Sequence, residues 1–343
     1  MAKKIFDFAI GNPPYQEEAP GTSTSDKPVY HQFMDAAFDV ADKVELITPA
    51  RFLFNAGATP SAWNKKMLSD PHFKVLRYEA DYKKIFPGAI IVGGLAITYH
   101  NNDQEYGTIG TFTAFQELNT ILQKVISKNQ DGTLDSIIYT QNKFNLDVLN
   151  QDLPGLNRRD KRLESNIFGL SVFTEEPATD ECYRILGLYG NKRVYRYIDS
   201  KYIDDSQDTN ISKFKIIVSK SNGASGSLGN EPARLITLPV IEQPNTGYTR
   251  TFIGIGSFDV AEEADAALKY IKSKFCRVLL GVLKVTQDNN PDKWRYVPLQ
   301  DFTSSSDIDW SKSIHEIDLQ LYRKYDLSVE EINFIETHVK EMV

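Results

Sequence analysis

Four consecutive residues, Asn12, Pro13, Pro14 and Tyr15, combine groups that can hold an aromatic amine. The Asn12 side-chain carbonyl and the Pro13 backbone carbonyl can accept both hydrogens of an exocyclic amino group, because the prolines hold this segment out of the helical region. Tyr15 offers a flat ring for stacking. Such hydrogen bonds favour a pyramidal nitrogen whose lone pair can attack an electrophilic methyl group, without a metal. The alternative is a turn that only ends a strand, since Asn and Pro are common turn formers.

The elements around this loop are typical of an α/β sheet. The apolar run at residues 5–10 predicts a buried strand that Gly11 ends, and polar residues 16–28 predict a mobile loop or lid. Apolar residues at helical spacing follow, and then a strand at residues 44–47, which together predict a β-α-β unit. Arg51 comes after that strand, where open α/β sheets bind ligands. It could contact phosphate or cap a helix, and we favour a structural or loop-positioning role for it.

The Asn12-Pro13-Pro14-Tyr15 loop resembles the catalytic loop of the DNA amino-methyltransferases, in the form typical of adenine-N6 enzymes. Residues 47–53 and 296–302 are similar to methylases of type II restriction-modification systems that carry a C-terminal target-recognition domain. The likeness extends over nearly the whole chain. It implies a site-specific adenine-N6 DNA methyltransferase that transfers a methyl group from S-adenosylmethionine to a flipped adenine in double-stranded DNA, alongside a restriction endonuclease.

The resemblance also implies a fold and one further site residue. The fold is α/β: a partial class I methyltransferase-like (Rossmann-like) sheet, followed by an α+β target-recognition domain. Phe86 matches the position where the family places an aromatic side chain against the far face of the target base. A core Phe at the end of a helical turn is an equal alternative for Phe86.

The family's S-adenosylmethionine motif is not found where it belongs. A Gly-rich turn after the first strand and an acidic residue after the second should precede the catalytic loop, and neither precedes residue 5. The cofactor-binding residues therefore stay unassigned. We expect the sheet to begin at the family's fourth strand, with a second polypeptide supplying the earlier strands. The alternatives are that a degenerate gene has lost the earlier strands or that the protein has been truncated. The Gly-rich residues 223–229 run towards a strand instead of a helix, which argues against a cofactor turn.

The remaining pattern predicts two domains, the catalytic part at residues 1–115 and target recognition at 116–343. A helix at 115–127 separates them. Short strands are predicted at residues 136–139, 194–198, 214–218 and 235–238, one long helix at 258–285, and a final helix capped by Ser328.

The net charge of -7 argues against a protein that coats nucleic acid non-specifically. Residues 151–300 nevertheless have 21 Lys and Arg against 19 Asp and Glu. A basic face there would suit phosphate contacts, although solvated basic loops are common. The candidate DNA contacts are Arg158, Arg159, Lys161, Arg162 and Lys220.

Other observations narrow the function class. No apolar run approaches the roughly 20 residues of a membrane span, and the first residues do not suit a signal peptide, which predicts a cytoplasmic protein. Cys182 and Cys276 are isolated, so the sequence predicts neither disulfide nor metal site. The main alternative function is a non-catalytic DNA-recognition partner subunit without cofactor. A weaker one is a metal-dependent nuclease using Asp70, Asp81 and Lys83.

Overall fold

The computed structural model describes residues 4–17, 27–56, 58–88, 91, 93–164, 166–190, 192–205, 209–221, 227–229, 231–284 and 286–342. They divide into two compact units, Met1–Asn119 (unit 1) and Thr120–Val343 (unit 2). The assignment of catalysis to residues 1–115 and of target recognition to 116–343 stays a prediction. Within the described ranges, no helix has the length and apolar character to cross a membrane.

Unit 1 is an α/β unit built on one four-stranded sheet. Its elements are β1 (Phe6–Gly11), β2 (Gln16–Glu17), β3 (Lys27–Pro28), α1 (Tyr30–Val40), β4 (Ala41–Pro49), α2 (Ser61–Ser69), β5 (Phe73–Glu79) and β6 (Leu95–Asn101), with 3-10 helices at Arg51–Phe54 and Tyr82–Lys84. The sheet order is β1-β4-β6-β5. β1 and β4 are parallel, and β6 is antiparallel to both of its neighbours. The predicted β-α-β unit is therefore confirmed as β1-α1-β4.

This topology gathers several connections at one end of the sheet. β4 and β5 finish where β6 begins, since Pro49 and Glu79 both pair with Leu95, and β1 runs parallel to β4 towards the same end. We call this the carboxyl end of the sheet. The loop after β1, the turn after β4 and the β5–β6 connection all start there.

In the described part of unit 1, the helices cover one face of the sheet. Val44 and Leu46 of β4 are buried in a core that includes Met34 of α1 and Met67 of α2. Their register partners on β1 are Ala9 and Gly11, whereas the residues between them point to the opposite face. On that opposite face the β1 side chains are exposed.

The prediction that β1 is covered on both faces is wrong for the described chain. β1 pairs only with β4 and lies at the sheet's edge. The exposed fractions are 56% for Phe6, 49% for Phe8 and 74% for Ile10. Alternate residues of a strand face opposite sides, so an apolar run is buried only where both sides are covered.

Unit 2 contains two larger sheets and a group of helices. After α3 (Gln116–Lys128), which spans the division, come β7 (Ile138–Tyr139), β8 (Lys143–Phe144), α4 (Leu146–Asp152), β9 (Cys182–Tyr189), β10 (Lys192–Asp199), β11 (Ile203–Asp204), β12 (Phe214–Ser219), β13 (Val240–Glu242), β14 (Thr246–Tyr248), β15 (Phe252–Phe258), α5 (Ala261–Lys272), α6 (Lys274–Leu283), α7 (Ile314–Lys324) and α8 (Val329–His338). The sheets are β10-β9-β14 and β13-β12-β15-β7, with β8 and β11 paired separately. α5 packs against β12 and β15.

Two predictions in unit 2 are wrong for local reasons. The single helix at 258–285 is two helices, because Ser273 is extended at φ -60° and ψ 149° and its hydroxyl accepts from Cys276 N to begin α6. No strand forms at residues 235–238, where Leu235 has φ 67°. The final helix is confirmed, with a capping box between Ser328 and Glu331.

Candidate functional site at the carboxyl end of the sheet

The Asn12–Tyr15 loop leaves β1 at the carboxyl end of the sheet. Gly11, the last residue of β1, pairs with Leu46 of β4. Asn12 is exposed, and among the described residues its side-chain amide has no hydrogen-bond partner. Val29 N donates to the Tyr15 carbonyl at 3.1 Å and fixes the far end of the loop. The Asn12 carbonyl oxygen is thus free to accept from a ligand.

The segment after the loop is only partly described. Gln16–Glu17 pairs antiparallel with Lys27–Pro28, so the two ends of the predicted lid are joined by a short strand pair. Residues 18–26, the remainder of that predicted lid, lie outside the described residues.

Tyr15 is placed to pack and stack instead of exchanging a proton. Its ring is half-buried against the core cluster that contains Tyr30 and Met34. Burial raises the pKa of Tyr15 to about 12, so the phenol stays neutral at physiological pH. Within the described part of the chain its buried hydroxyl has no hydrogen-bond partner. Only the ring is therefore available for the predicted contact with a base.

Arg51 follows β4, and its side chain packs against Gly93. Gly93 has φ 91°, and a Cβ built on it would lie 2.5 Å from Arg51 Cγ. The neighbouring Gly94 carbonyl accepts from Ala50 N at 3.0 Å. The stem of Arg51 thus packs where only glycine fits, which supports its predicted role in positioning the loop.

Phe86 lies in the β5–β6 connection, which starts from the same end of the sheet. Its backbone N–H donates to Tyr82 O at 2.8 Å, so it ends a helical turn, and its side chain is half-buried. The structure brings Phe86 to the same end as Asn12. Its contact with a target base stays a prediction.

Three aromatic residues at this end were not singled out from the sequence. Phe54, Tyr78 and Phe112 form a cluster with ring centroids 5.3 to 5.8 Å apart. Phe54 follows β4, Tyr78 lies near the end of β5, and Phe54 is 37% exposed. β4 and β5 end at the same side of the sheet, so the aromatic residues at the ends of both predicted strands could have indicated this cluster from the sequence. The cluster gives the carboxyl end an apolar wall.

The basic cluster at residues 158–162 is partly engaged within unit 2. The Arg158 guanidinium donates to the carbonyls of Asp160 and Arg162 at 2.8 and 3.1 Å. Arg162 pairs with both oxygens of Asp160 and holds the pKa of that carboxyl well below its usual range. Lys161 lies 3.8 Å from Asp204. Arg159 is exposed, and its guanidinium has no partner among the described residues, so it is the cluster's freest phosphate donor.

The lysines around β12 also differ in whether their ammonium groups are already bonded within unit 2. Lys213 pairs with Asp259. Lys215 is fully buried, and its ammonium donates to the carbonyls of Ile211, Gln243 and Thr246. Lys220, at the end of β12, has an ammonium without a partner in the described ranges, and its contact with DNA stays a prediction.

Cofactor and metal sites are not assembled in the described part of the chain. No group of three or more His, Cys, Asp or Glu residues there could hold a metal ion. Asp70 and Asp81 lie before and after β5, at opposite ends of a seven-residue strand, roughly 20 Å at about 3.3 Å per residue. They cannot share one ion. The predicted Gly-rich loop lies partly outside the described residues, at 222–226.

Comparison with known proteins gives one family. No curated protein matches the chain. A solved structure of the type IIG restriction endonuclease BpuSI is similar at 10% identity and a TM-score of 0.38, over 93% of this chain and 49% of that one. The chain therefore spans about half the length of that structure. Residues 1–86, which run from β1 through the Asn12–Tyr15 loop to Phe86, match the model of the Eco57I restriction-modification methylase family.

Proposed function

We propose that this protein is the catalytic and recognition portion of a site-specific adenine-N6 DNA methyltransferase of a restriction-modification system. One observation carries the proposal. An Asn-Pro-Pro-Tyr loop with a free Asn12 amide stands at the carboxyl end of a parallel strand pair, inside the segment that matches the methylase family. Ligands of open α/β sheets bind at this end.

The loop acts by hydrogen bonding and stacking. The adenine amino group is paired inside the duplex, so the base must leave the stack to reach a concave site. Asn12 Oδ1 and the Pro13 carbonyl accept the two amino hydrogens and concentrate the nitrogen lone pair towards the methyl donor. Tyr15 stacks on the base, and the Phe54, Tyr78 and Phe112 cluster or Phe86 bounds the opposite side. Because the acceptors are fixed before reaction, they stabilise the charge that develops on the amine.

The methyl donor of this family is S-adenosylmethionine, which supplies an electrophilic methyl group. The described residues do not form the Gly-rich turn that would hold it, so the cofactor-binding residues of this chain stay unassigned. The outer edge of β1 has no pairing partner within those residues, and the β1 side chains on one face of the sheet are exposed. A further polypeptide segment that pairs with β1 would cover both and bring the cofactor to Asn12. We propose that a second polypeptide supplies it.

The test is to detect N6-methyladenine in genomic DNA of a bacterial host that lacks adenine methylation. The full chain is expressed alone and together with the neighbouring reading frames, and sequencing that detects modified bases across the genome identifies the target site. Methylation is expected in the co-expressing strain. Asn12→Ala should lower it on the order of a hundredfold, because it removes an acceptor that acts in the transition state.

A matched control is Tyr15→Phe, which keeps the ring and removes only a hydroxyl that has no partner in the described chain. Its methylation should stay near that of the wild type. Unchanged methylation in Asn12→Ala would remove Asn12 from the mechanism.

The bare β1 edge also favours a second candidate, a non-catalytic DNA-recognition subunit that pairs with a catalytic partner. In that case methylation requires the partner and is the same with wild type and Asn12→Ala. Both candidates bind duplex DNA, so binding alone does not separate them.

A further inference from the structure

The paired strands β9 and β10 of unit 2, which we call the ribbon, end in a concentration of cationic side chains. β9 and β10 pair antiparallel in continuous register from Lys192–Tyr189 to Asp199–Cys182. Residues 182–199 contain four cationic residues and one anionic residue, in a chain whose net charge is -7. The ribbon's outer end consists of Tyr189, Gly190, Lys192 and Arg193, which are all exposed. We call this the ribbon end.

The cations occupy both faces of the ribbon end. Directly opposed residues of an antiparallel pair share a face, and successive residues alternate. Lys192 shares one face with Tyr189, whereas Arg193 lies on the other face. On the Lys192 face, the Arg196 guanidinium lies 6.0 Å from the Tyr189 ring centroid and also pairs with Glu175. Positive charge therefore flanks the ribbon on two sides.

Arg193 connects the ribbon end to a second segment. Its Nη2 donates to Ser219 Oγ at 2.8 Å, and its guanidinium lies 5.3 Å from the Phe252 ring centroid. Ser219 is the last residue of β12 and precedes Lys220. The backbone of Lys220 is fixed, because its N–H donates to the Thr251 carbonyl and its carbonyl accepts from Asn289 N. Neither hydrogen bond involves the Lys220 side chain. Arg193 and Lys220 are thus brought together from two chain segments, and Lys192 adds a cation on the opposite face of the ribbon end.

Asp288 and Glu242 are two anionic residues near these cations. Asp288 forms a backbone bridge with Ser221 and is the acidic residue beside Lys220. Glu242 is taken by Arg184 and Tyr195, farther along the ribbon. Neither the Lys192 nor the Lys220 ammonium has an ion-pair partner within the described residues. Their charges are available to a polyanion.

From this geometry we infer that the ribbon end contacts the backbone of duplex DNA, with Lys192, Arg193 and Lys220 on phosphates. The inference rests on the proposed function, for which duplex DNA is the substrate, and names the element that holds it. Lys192 and Arg193 are exposed at the ribbon end, and Lys220 directly follows Ser219, to which Arg193 donates a hydrogen bond. Cationic side chains on neighbouring segments of a surface can neutralise phosphates of one duplex.

The test is the salt dependence of duplex binding by the full chain. A fluorescently labelled duplex of mixed sequence is titrated with protein over a series of salt concentrations, and log K is plotted against log salt. Each phosphate contact contributes a slope of about -0.9. The double substitution Lys192→Gln and Lys220→Gln should reduce the magnitude of the slope by roughly 2, without lowering the melting temperature, because neither ammonium has an ion-pair partner to lose.

The matched control is Lys201→Gln. Lys201 follows β10 at the opposite end of the ribbon and pairs with Asp152 at 2.8 Å. This substitution removes the same charge from the same ribbon, and its slope should equal that of the wild type. Arg193→Gln should reduce the slope by about 0.9, and Arg193→Lys should restore it, which separates phosphate contact from the hydrogen bond to Ser219.

Each outcome decides between the two proposals. If the wild type binds and the double variant keeps its slope, or changes it no more than Lys201→Gln does, the ribbon end is not the DNA contact and the proposed function still stands. If the wild type binds no duplex at the lowest salt, the ribbon inference and the DNA-binding part of the proposed function both fail.

Discussion

β1 and β12 have similar sequences and opposite surroundings. β1 contains Phe6-Asp7-Phe8-Ala9-Ile10, and β12 contains Phe214-Lys215-Ile216-Ile217-Val218. β12 pairs with β13 and β15 on its two sides and packs under α5, and residues 215–218 are all buried. β1 pairs on one side only, and its alternate side chains are exposed. An apolar sequence thus allows a strand to be buried, but the strand is buried only where neighbouring strands and helices cover it.

The charged residues of the two strands show the same difference. Asp7 is exposed and needs no partner, whereas Lys215 is fully buried and donates to three carbonyls. Burial lowers the pKa of Lys215 to about 7, and Glu242 opposes that shift. A buried charged group is tolerated only when its hydrogen bonds are satisfied. The interior of unit 2 thus satisfies the charge of Lys215, whereas Asp7 of β1 stays at the surface in the described chain.

The largest expected effect is in the self-contained interior of unit 2. Phe275 is fully buried, and its ring stacks on Tyr325 with centroids 4.9 Å apart. Phe275→Ala should lower the free energy of unfolding by about 3 to 5 kcal/mol, because it removes a large side chain and leaves a cavity. Denaturant unfolding measures it. A loss below about 1 kcal/mol would contradict the close packing of this interior.

The second effect depends on pH and tests one buried carboxyl of unit 2. Asp318 accepts from Lys274 N and Phe275 N at the start of α6, and burial raises its pKa to about 6. A raised carboxyl pKa stabilises the fold below the unfolded value near 4, and this contribution is lost as pH rises through 6. About two pKa units correspond to about 3 kcal/mol between these pH values.

The measurement is the free energy of unfolding of wild type and Asp318→Asn from pH 4 to pH 7. The substituted side chain of Asp318→Asn cannot ionise. The free energy of unfolding of the wild type should therefore fall relative to that of the variant as pH rises from 4 to 6, and the difference should level off at higher pH. Glu316→Gln is the control, because a hydrogen bond from Ser313 lowers the pKa of Glu316 and its contribution is lost only as pH falls. A pH-independent difference for Asp318→Asn would refute the raised pKa.

The smallest effect on stability belongs to the open strand of unit 1. Phe6 is 56% exposed in the described chain, and Phe6→Ser should change the free energy of unfolding by about 0.5 kcal/mol or less. It should instead reduce association, because an apolar edge strand pairs with other chains. Sedimentation velocity measures this. Leu319→Ser, at a 39% exposed residue of unit 2, is the control that should leave association unchanged.

Local pattern predicted much of unit 1 and less of unit 2. The β-α-β unit and the cap at Ser328 follow from residues adjacent in sequence, so they could be predicted. The burial of Lys215 could not, because its carbonyl acceptors come from residues 211–246. Ser273 interrupts an apolar pattern that continues through both helices, so the pattern concealed the break. The ribbon end was not predicted, because a few cations on an exposed strand are typical of ordinary solvated surface and Lys220 is distant from them in sequence.

The open edge of β1 has a consequence for amide hydrogen exchange. In a parallel pair, backbone groups bonded to β4 alternate along β1 with groups that point away from it. Protection from exchange in β1 should therefore alternate residue by residue, whereas β4, with β1 and β6 on its two sides, is protected throughout. A segment that pairs with the outer edge would remove this alternation, so β1 amides report directly on whether the sheet has been completed.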